Sequence, residues 1–325
     1  MAAVVEPNRK CEIISCSRRS DVPAFKMQWV LEQMAHGFVL VENPHCRGGS
    51  RMPSRISLSP ADVRTWVWWS KDYAEWIRAF DHPVQGPILR AYDAHLFNFT
   101  INGPDHSPLE PGLRTTLDQR LEQLAWLAAH FGPESIILRF DPIVHYMINP
   151  SGLIGTAKQF NGQPPVINNL ASFEQIAQFA AAIGIRFIVV AFAIPYAHIT
   201  ARLRRMNNGA RITLVDPTVV EKRTILERLR DFTRQINLQI RLCCMPSFSA
   251  GEIEDIAPSA CIDGAQVNTI LARNGKAPIS VKGGKKDSGQ RKECHCSKSI
   301  DIGGYGPTFA CEHACLYCYA NPKTT

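Results

Sequence analysis

The chain has no uninterrupted apolar run long enough to cross a membrane. Residues 176–197 come nearest, but Gln178, Gly184, Arg186 and Pro195 interrupt them. The break at Gly184-Ile185 leaves two pieces, each short of the roughly 20 residues a spanning helix requires. They read as a helix followed by a buried strand, and no membrane partner is expected. The first ten residues lack the apolar core of a secretory signal, which makes a reducing cytoplasm the expected compartment. No glycine-rich phosphate loop follows the first apolar run, which argues against a dinucleotide fold. No internal repeat is present.

With 45% hydrophobic and 20% charged residues over 325 positions, the composition suits a globular protein with a sizeable core. The net charge of +7 is mostly local. Residues 273–292 hold seven basic residues against the single acid Asp287, and residues 202–211 add four arginines. Such a run is ordinarily a solvated loop. A grip on phosphate, in a nucleic acid or a nucleotide-like substrate, is the sharper reading. No aromatic residues interleave it as a stacking platform would need.

Short apolar, β-branched runs at 12–15, 38–41, 65–69, 96–101, 135–140, 187–193 and 239–243 alternate with amphipathic stretches. Leu117, Leu121, Leu124, Leu127 and Phe131 mark one helical face, as do Phe173, Ile176, Ala177 and Ala180. Asp216-Pro217-Thr218 with Glu221 predicts a helix start, and Ser59-Pro60-Ala61-Asp62 a shorter one. Residues 147–169, rich in Gly, Pro and Asn, read as an inserted loop or lid. Strand and helix repeated about seven times predict a mostly parallel α/β fold. The count favours a full or partial (β/α) TIM-like barrel over residues 1–270, with a Gly/Lys/Cys-rich extension over 271–325. Polar residues cluster after the strands: Arg18, Arg19 and Asp21; Glu42-Asn43-Pro44; Lys71; and Asp141-Pro142. In a parallel barrel these loops share one rim, where such folds place their chemistry. Mutual pairing of arginines and acids to cap the barrel is the plainer alternative.

Eleven cysteines are many, and five of them fall between 294 and 318. Cys311, Cys315 and Cys318, spaced C-x3-C-x2-C, can hold three corners of a soft-metal site. Iron–sulfur clusters usually take four cysteines, so three imply a distant ligand or an open iron. Structural zinc wants four tetrahedral ligands, and His313 or Cys294-His295-Cys296 could complete a set. A second group, Cys243, Cys244, Cys261, Cys294 and Cys296, has enough thiols for a cluster of its own. Buried cysteine is also often no more than a small hydrophobe, and Cys11, Cys16 and Cys46 are assigned no metal role.

The triad, with Tyr317 just before its last cysteine, resembles the cluster motif of radical S-adenosylmethionine enzymes. That resemblance implies a [4Fe-4S] cluster on Cys311, Cys315 and Cys318, in a full or partial (β/α) barrel. Its fourth iron would chelate S-adenosylmethionine, giving a deoxyadenosyl radical that abstracts hydrogen from a substrate. An electron donor such as flavodoxin or ferredoxin is implied as partner. In that superfamily the triad follows the first strand, whereas here it ends the chain. Other runs stand out as well: Ser17-Arg18-Arg19-Ser20-Asp21-Val22-Pro23, Glu42-Asn43-Pro44, Trp69-Ser70-Lys71 and Arg139-Phe140-Asp141-Pro142. They continue with Cys261-Ile262-Asp263-Gly264, Lys286-Asp287-Ser288-Gly289-Gln290-Arg291, Ser299-Ile300-Asp301-Ile302-Gly303 and residues 311–320. Together with the terminal triad they are similar to an uncharacterised bacterial family, domain of unknown function 1848. On this reading Arg18, Arg19, Asp21, Lys71 and Asp141 line the mouth as catalytic or orienting groups. Tyr317 and Asn43 contact the cofactor. Cys261, Cys294, Cys296 and one of Cys243 or Cys244 hold a second [4Fe-4S] cluster. The alternatives are a non-catalytic zinc or iron–sulfur protein, and a radical enzyme acting on nucleic acid.

Overall fold

The structure, a computed structural model, describes residues 9–42, 53–150, 165–205, 210–245, 248, 252–281, 291 and 293–323. Asn43 and Cys46 lie outside the described residues, as do residues 282–290 and Lys292 of the basic stretch.

The chain opens with β1 (Ile13–Cys16), α1 (Val22–Phe25), α2 (Met27–His36), β2 (Phe38–Val41), β3 (Ser54–Ser57) and β4 (Thr65–Ser70). It continues through α3 (Ala74–Asp81), α4 (Gly86–Arg90), β5 (Ala94–Thr100), α5 (Leu117–Phe131), β6 (Ile136–Ile143), β7 (His145–Pro150) and β8 (Ile167–Asn168). Then come α6 (Phe173–Ala182), β9 (Phe187–Phe192), α7 (Ala197–Arg205), β10 (Ala210–Val215) and α8 (Val219–Gln235). The last are β11 (Gln239–Leu242), β12 (Ala257–Pro258), α9 (Gly264–Arg273) and β13 (Ile300–Asp301). Helices start where the side chains supply caps. Thr116 with Gln119, and Thr218 with Glu221, form reciprocal capping boxes that satisfy otherwise orphaned backbone donors. The cap of α8 is thus Thr218 rather than Asp216, whose carboxylate pairs with Lys222 at 2.6 Å.

Eight strands form one sheet in the order β12-β11-β9-β6-β5-β4-β1-β13. Its pairings are parallel throughout. A large parallel sheet was expected, and β13 brings the C-terminal extension into it beside β1. No strand pairing among the described residues closes it into a barrel, since β12 and β13 remain its two edges. Three expectations need correcting. The run 38–41 is a strand, but it pairs antiparallel with β3 outside the main sheet. Ser59-Pro60-Ala61-Asp62 forms a turn instead of a helix. Part of the expected loop at 147–169 is β7, paired antiparallel with β10, and β8; residues 151–164 lie outside the described residues. No helix among the described residues is long and apolar enough to cross a membrane.

Side chains alternate across each strand, and the two faces differ. Ile14, Trp66, Trp68, Phe97, Phe99, Leu138, Phe140, Ile188, Val190 and Ile240 belong to the larger core, packed with residues of α2, α3, α5, α6 and α8. Ile13, Val67, Leu96, Ile137 and Val189 face the other way, onto Val267, Ile270 and Leu271 of α9. Two residues further along these strands, that second face carries Ser15, Trp69, Asn98 and Arg139. The apolar layer therefore gives way to polar groups toward the C-terminal strand ends.

One buried group ties the larger core to pH. His95 is buried; its Nδ1 accepts from Trp68 Nε1 at 3.0 Å and its Nε2–H donates to the Leu89 carbonyl at 3.0 Å. Burial lowers its pKa from 6.5 to about 4, against a smaller raising effect of the Leu89 bond. The unfolded chain therefore takes up a proton between pH 6.5 and 4 that the folded chain refuses. Stability present above pH 6.5 is expected to fall by about 3 kcal/mol across that window. His95→Phe, whatever its stability at pH 7, should show a flatter dependence by denaturant titration at each pH. An equally steep slope in that variant would remove His95 as its source.

Candidate metal and substrate site

A cavity of about 430 Å³ opens at the C-terminal ends of the parallel strands. Trp69 of β4, Arg139 and Asp141 of β6, and Ala191 of β9 contribute to its wall. Arg18 and Arg19 follow β1 and face the same space, with Asp301 of β13 between them. Asp301 accepts from the Ser15 and Ser17 hydroxyls and the Arg18 backbone N–H, each at 2.8 Å. It also lies 3.7 Å from Arg18 Nε and 3.6 Å from Arg19 Nε. Arg19 donates to the Gly303 carbonyl at 2.7 Å and stacks over Tyr305 at 5.2 Å. Arg139, partly buried, is paired with Asp141 and donates to Cys261 Sγ. The expected rim arginines and Asp141 thus converge on one cavity, and part of their charge is already met by neighbouring acids.

The triad loop packs into this wall from the chain's end. Cys318 and Tyr317 line the cavity, Cys315 is buried and Cys311 half-buried. Ala314, at φ 52°, gives the loop its left-handed turn. Several groups hold it. The Leu316 N–H donates to the Leu109 carbonyl at 2.8 Å, and Arg202 of α7 donates to the carbonyls of Leu316 and Cys318 at 2.9 and 2.6 Å. His313 is buried and its Nε2–H donates to Asp21 at 2.8 Å. Asp21 also accepts from the Ser70 hydroxyl at 2.7 Å, the Lys71 N–H at 2.8 Å and the Ala24 N–H at 3.0 Å. Asp21 therefore anchors the triad loop to the ends of β1 and β4.

Lys71 is placed similarly. Its ammonium meets Glu110 at 2.6 Å and Asn102 Oδ1 at 2.6 Å, beneath the Tyr317 ring at 5.7 Å. Tyr317 donates its hydroxyl to Glu110. Burial lowers the Lys71 pKa, but the Glu110 charge, the nearby Cys315 and the hydrogen bond to Glu110 together outweigh it and hold the ammonium above its usual range. Burial likewise raises the Glu110 carboxyl, and Lys71, with the Tyr317 hydroxyl and Arg120, outweighs that to leave it below the usual range. The second carboxylate oxygen, Glu110 Oε2, is buried without a hydrogen-bond partner, and Oε1 lies 4.0 Å from Cys315 Sγ. Burial pushes the Cys311 thiol up to about 12 and raises Cys315 and Cys318 as well. A bound cation would displace these protons.

The second cysteine group lies on the same cavity. Cys243 and Cys261 are 3.3 Å apart, sulfur to sulfur. Cys296 neighbours Cys261 and Cys294, and Cys244 neighbours Cys243 and Cys294. No disulfide joins the described cysteines. As they stand, no three or more described His, Cys, Asp or Glu side chains are set to hold a single metal ion. His313 turns to Asp21 rather than completing a thiol set.

Glu110, Asn102, Arg139, Arg202 and Asp301 were not singled out as site residues. Glu110 is an isolated acid among prolines and glycines, and nothing local marks it. Arg139 and Asp301 do fall in the family-like runs. Of the basic stretch, Arg273 pairs with Glu134 and Lys276 meets Asp93 at 2.9 Å, which leaves those two less charge for an external phosphate.

Gly112 tests the loop's seating. Its N–H donates to the His313 carbonyl at 3.0 Å, and a Cβ there would fall 1.8 Å from the Glu312 carbonyl oxygen. Gly112→Ala must displace the loop, at a cost of about 1–3 kcal/mol. The midpoint of denaturant unfolding is expected to fall accordingly. A wild-type midpoint would mean that the loop tolerates the methyl group.

No curated protein matches the chain. A family model described as "Domain of unknown function (DUF1848)" matches residues 13–320, and the chain belongs to that family.

Proposed function

We propose that this protein is an iron–sulfur enzyme of the radical S-adenosylmethionine type, built on a (β/α) barrel-like body whose mouth is the cavity. One observation carries the reading: Cys318 of the triad shares a cavity wall with the arginines and Asp141, at the strand ends where parallel α/β folds keep their chemistry. The barrel is supported by the strand order, which runs through the chain in sequence and returns the last strand to the first. Across the two edges, the Ser297 N–H donates to the Ile262 carbonyl at 2.8 Å.

The donor chemistry fits the group. Three soft thiols on one short loop suit iron–sulfur ligation, and the partnerless Glu110 Oε2 behind them is a polar atom still wanting a partner. Cys311, Cys315 and Cys318 would hold the cluster, with one iron open to S-adenosylmethionine. When bound, that pair supplies a deoxyadenosyl radical for hydrogen abstraction. The chain's own residues do the rest. Asp21, Lys71, Glu110 and Arg202 fix the loop. Arg18, Arg19 and Asp141 present charge to orient what enters. Tyr317 and Tyr319 line the wall.

Anaerobic purification and reconstitution test this reading. A brown protein with iron and labile sulfide that releases deoxyadenosine from S-adenosylmethionine under reduction is the expected result. A colourless protein with stoichiometric zinc and no such release would favour the non-catalytic metal-binding alternative.

A further inference from the structure

We propose that Cys243, Cys261, Cys294 and Cys296 hold a second iron–sulfur cluster, independent of the triad, with Arg139 as the cation that tunes its potential. Three separated segments bring these thiols together: the end of β11, the turn after β12, and the loop before β13. Chance burial of small hydrophobes would scatter them. Instead the thiols of Cys243, Cys244, Cys294, Cys296 and Cys261 neighbour one another in a ring on one cavity wall, with Cys243 and Cys261 3.3 Å apart.

A cubane cluster takes four thiolates, and the ring contains five. Cys243 and Cys244 are sequence neighbours, so one of them supplies the fourth ligand. The strand assigns Cys243. Its N–H continues the β11–β9 ladder to the Val190 carbonyl at 3.1 Å. Val190 belongs to the larger core, whereas Cys243 packs on the α9 side of the sheet, as Cys296 does. Cys243 thus shares the face that carries Arg139. Cys244, at φ 46°, begins the departure from the strand and is the spare thiol.

Arg139 bears on this site directly. It is partly buried, donates to Cys261 Sγ and sits over Trp69 at 5.4 Å. Hydrogen bonds to ligand sulfurs and net local charge set cluster potentials. A guanidinium there favours the reduced, more negative cluster, and so raises its potential.

The test uses the full chain reconstituted anaerobically with ferrous iron and sulfide. Wild type is expected to bind about eight irons, and Cys311→Ala/Cys315→Ala/Cys318→Ala about four. Cys261→Ala/Cys294→Ala/Cys296→Ala should keep only the triad's share. Iron absent from the triad variant, iron at the wild-type level in the ring variant, or zinc as the only metal taken up by the ring would each overturn the second centre. The triad reading fails separately, if the ring variant binds nothing. Should the ring variant misfold, Cys294→Ala, at a half-buried position, and Arg139→Met carry the test. Cys294→Ala should lose the second signal by electron paramagnetic resonance. Arg139→Met should keep its iron yet titrate at a more negative potential, with Arg139→Lys returning part of the shift; an unchanged potential would remove Arg139 from the role.

Discussion

Cys315→Ala is expected to fold and yet to release no measurable deoxyadenosine from S-adenosylmethionine, a loss of at least about a thousandfold. The reason lies in the ligand count. A three-thiolate loop has no redundancy if its open iron is the cofactor's seat, and deleting one ligand leaves two thiols, too few to keep a cluster against solvent and chelators. Cys315 is the most buried of the three, at 6% exposure, and it belongs to a small apolar cluster with Val144, Tyr146 and Tyr317. Removing its sulfur from that packing costs about 1 kcal/mol. The variant's melting temperature, compared in the metal-free state, should therefore move by only a few degrees. That separates lost chemistry from lost fold. A Cys315→Ala protein that still cleaves S-adenosylmethionine under reducing, anaerobic conditions would refute the triad's role.

Why the triad could be read from the chain while its surroundings could not is a question of range. Cys311, Cys315 and Cys318 lie within one loop, so their spacing is also their geometry. The helix 117–131 was legible for the same reason, since its leucines repeat within a few residues. The sheet strands were legible because both faces are buried, which makes them continuously apolar. Partners are another matter: Phe38–Val41 has the β-branched character of a sheet strand, and only tertiary pairing sends it into a hairpin with β3. β12 and β13 are two residues each, too short to leave a periodic signal. Asp21 and Lys71 were recognisable as polar residues after strands, but their partners stand 292 and 39 positions away, at His313 and Glu110. The five-thiol ring joins three segments, and spacing alone could say only that enough thiols exist.

The Lys71–Glu110 pair offers the largest expected effect on stability. Both side chains are buried, at 12% and 3% exposure, with 2.6 Å between them. A buried pair contributes little net stability compared with apolar residues of the same volume, but breaking one strands the other charge. Glu110→Gln should therefore cost about 3–5 kcal/mol, because the Lys71 ammonium keeps only the Asn102 oxygen and the amide dipole. Lys71→Met should cost a similar amount by leaving the carboxylate with only the Tyr317 hydroxyl and a long contact to the Cys315 thiol. The double variant Lys71→Met/Glu110→Gln is expected to recover much of the loss, since neither charge is then stranded. The coupling read from that cycle should be well above the 0.5 kcal/mol scatter of independent sites. The same pair underlies the triad loop, so both single variants should load less iron, and the double variant should regain fold without regaining the full complement. Denaturant titrations of the four metal-free proteins decide the first point and iron analysis the second. Single variants within about 1 kcal/mol of wild type would mean that water already reaches the pair, and the wall behind Cys315 would then be far wetter than its burial implies.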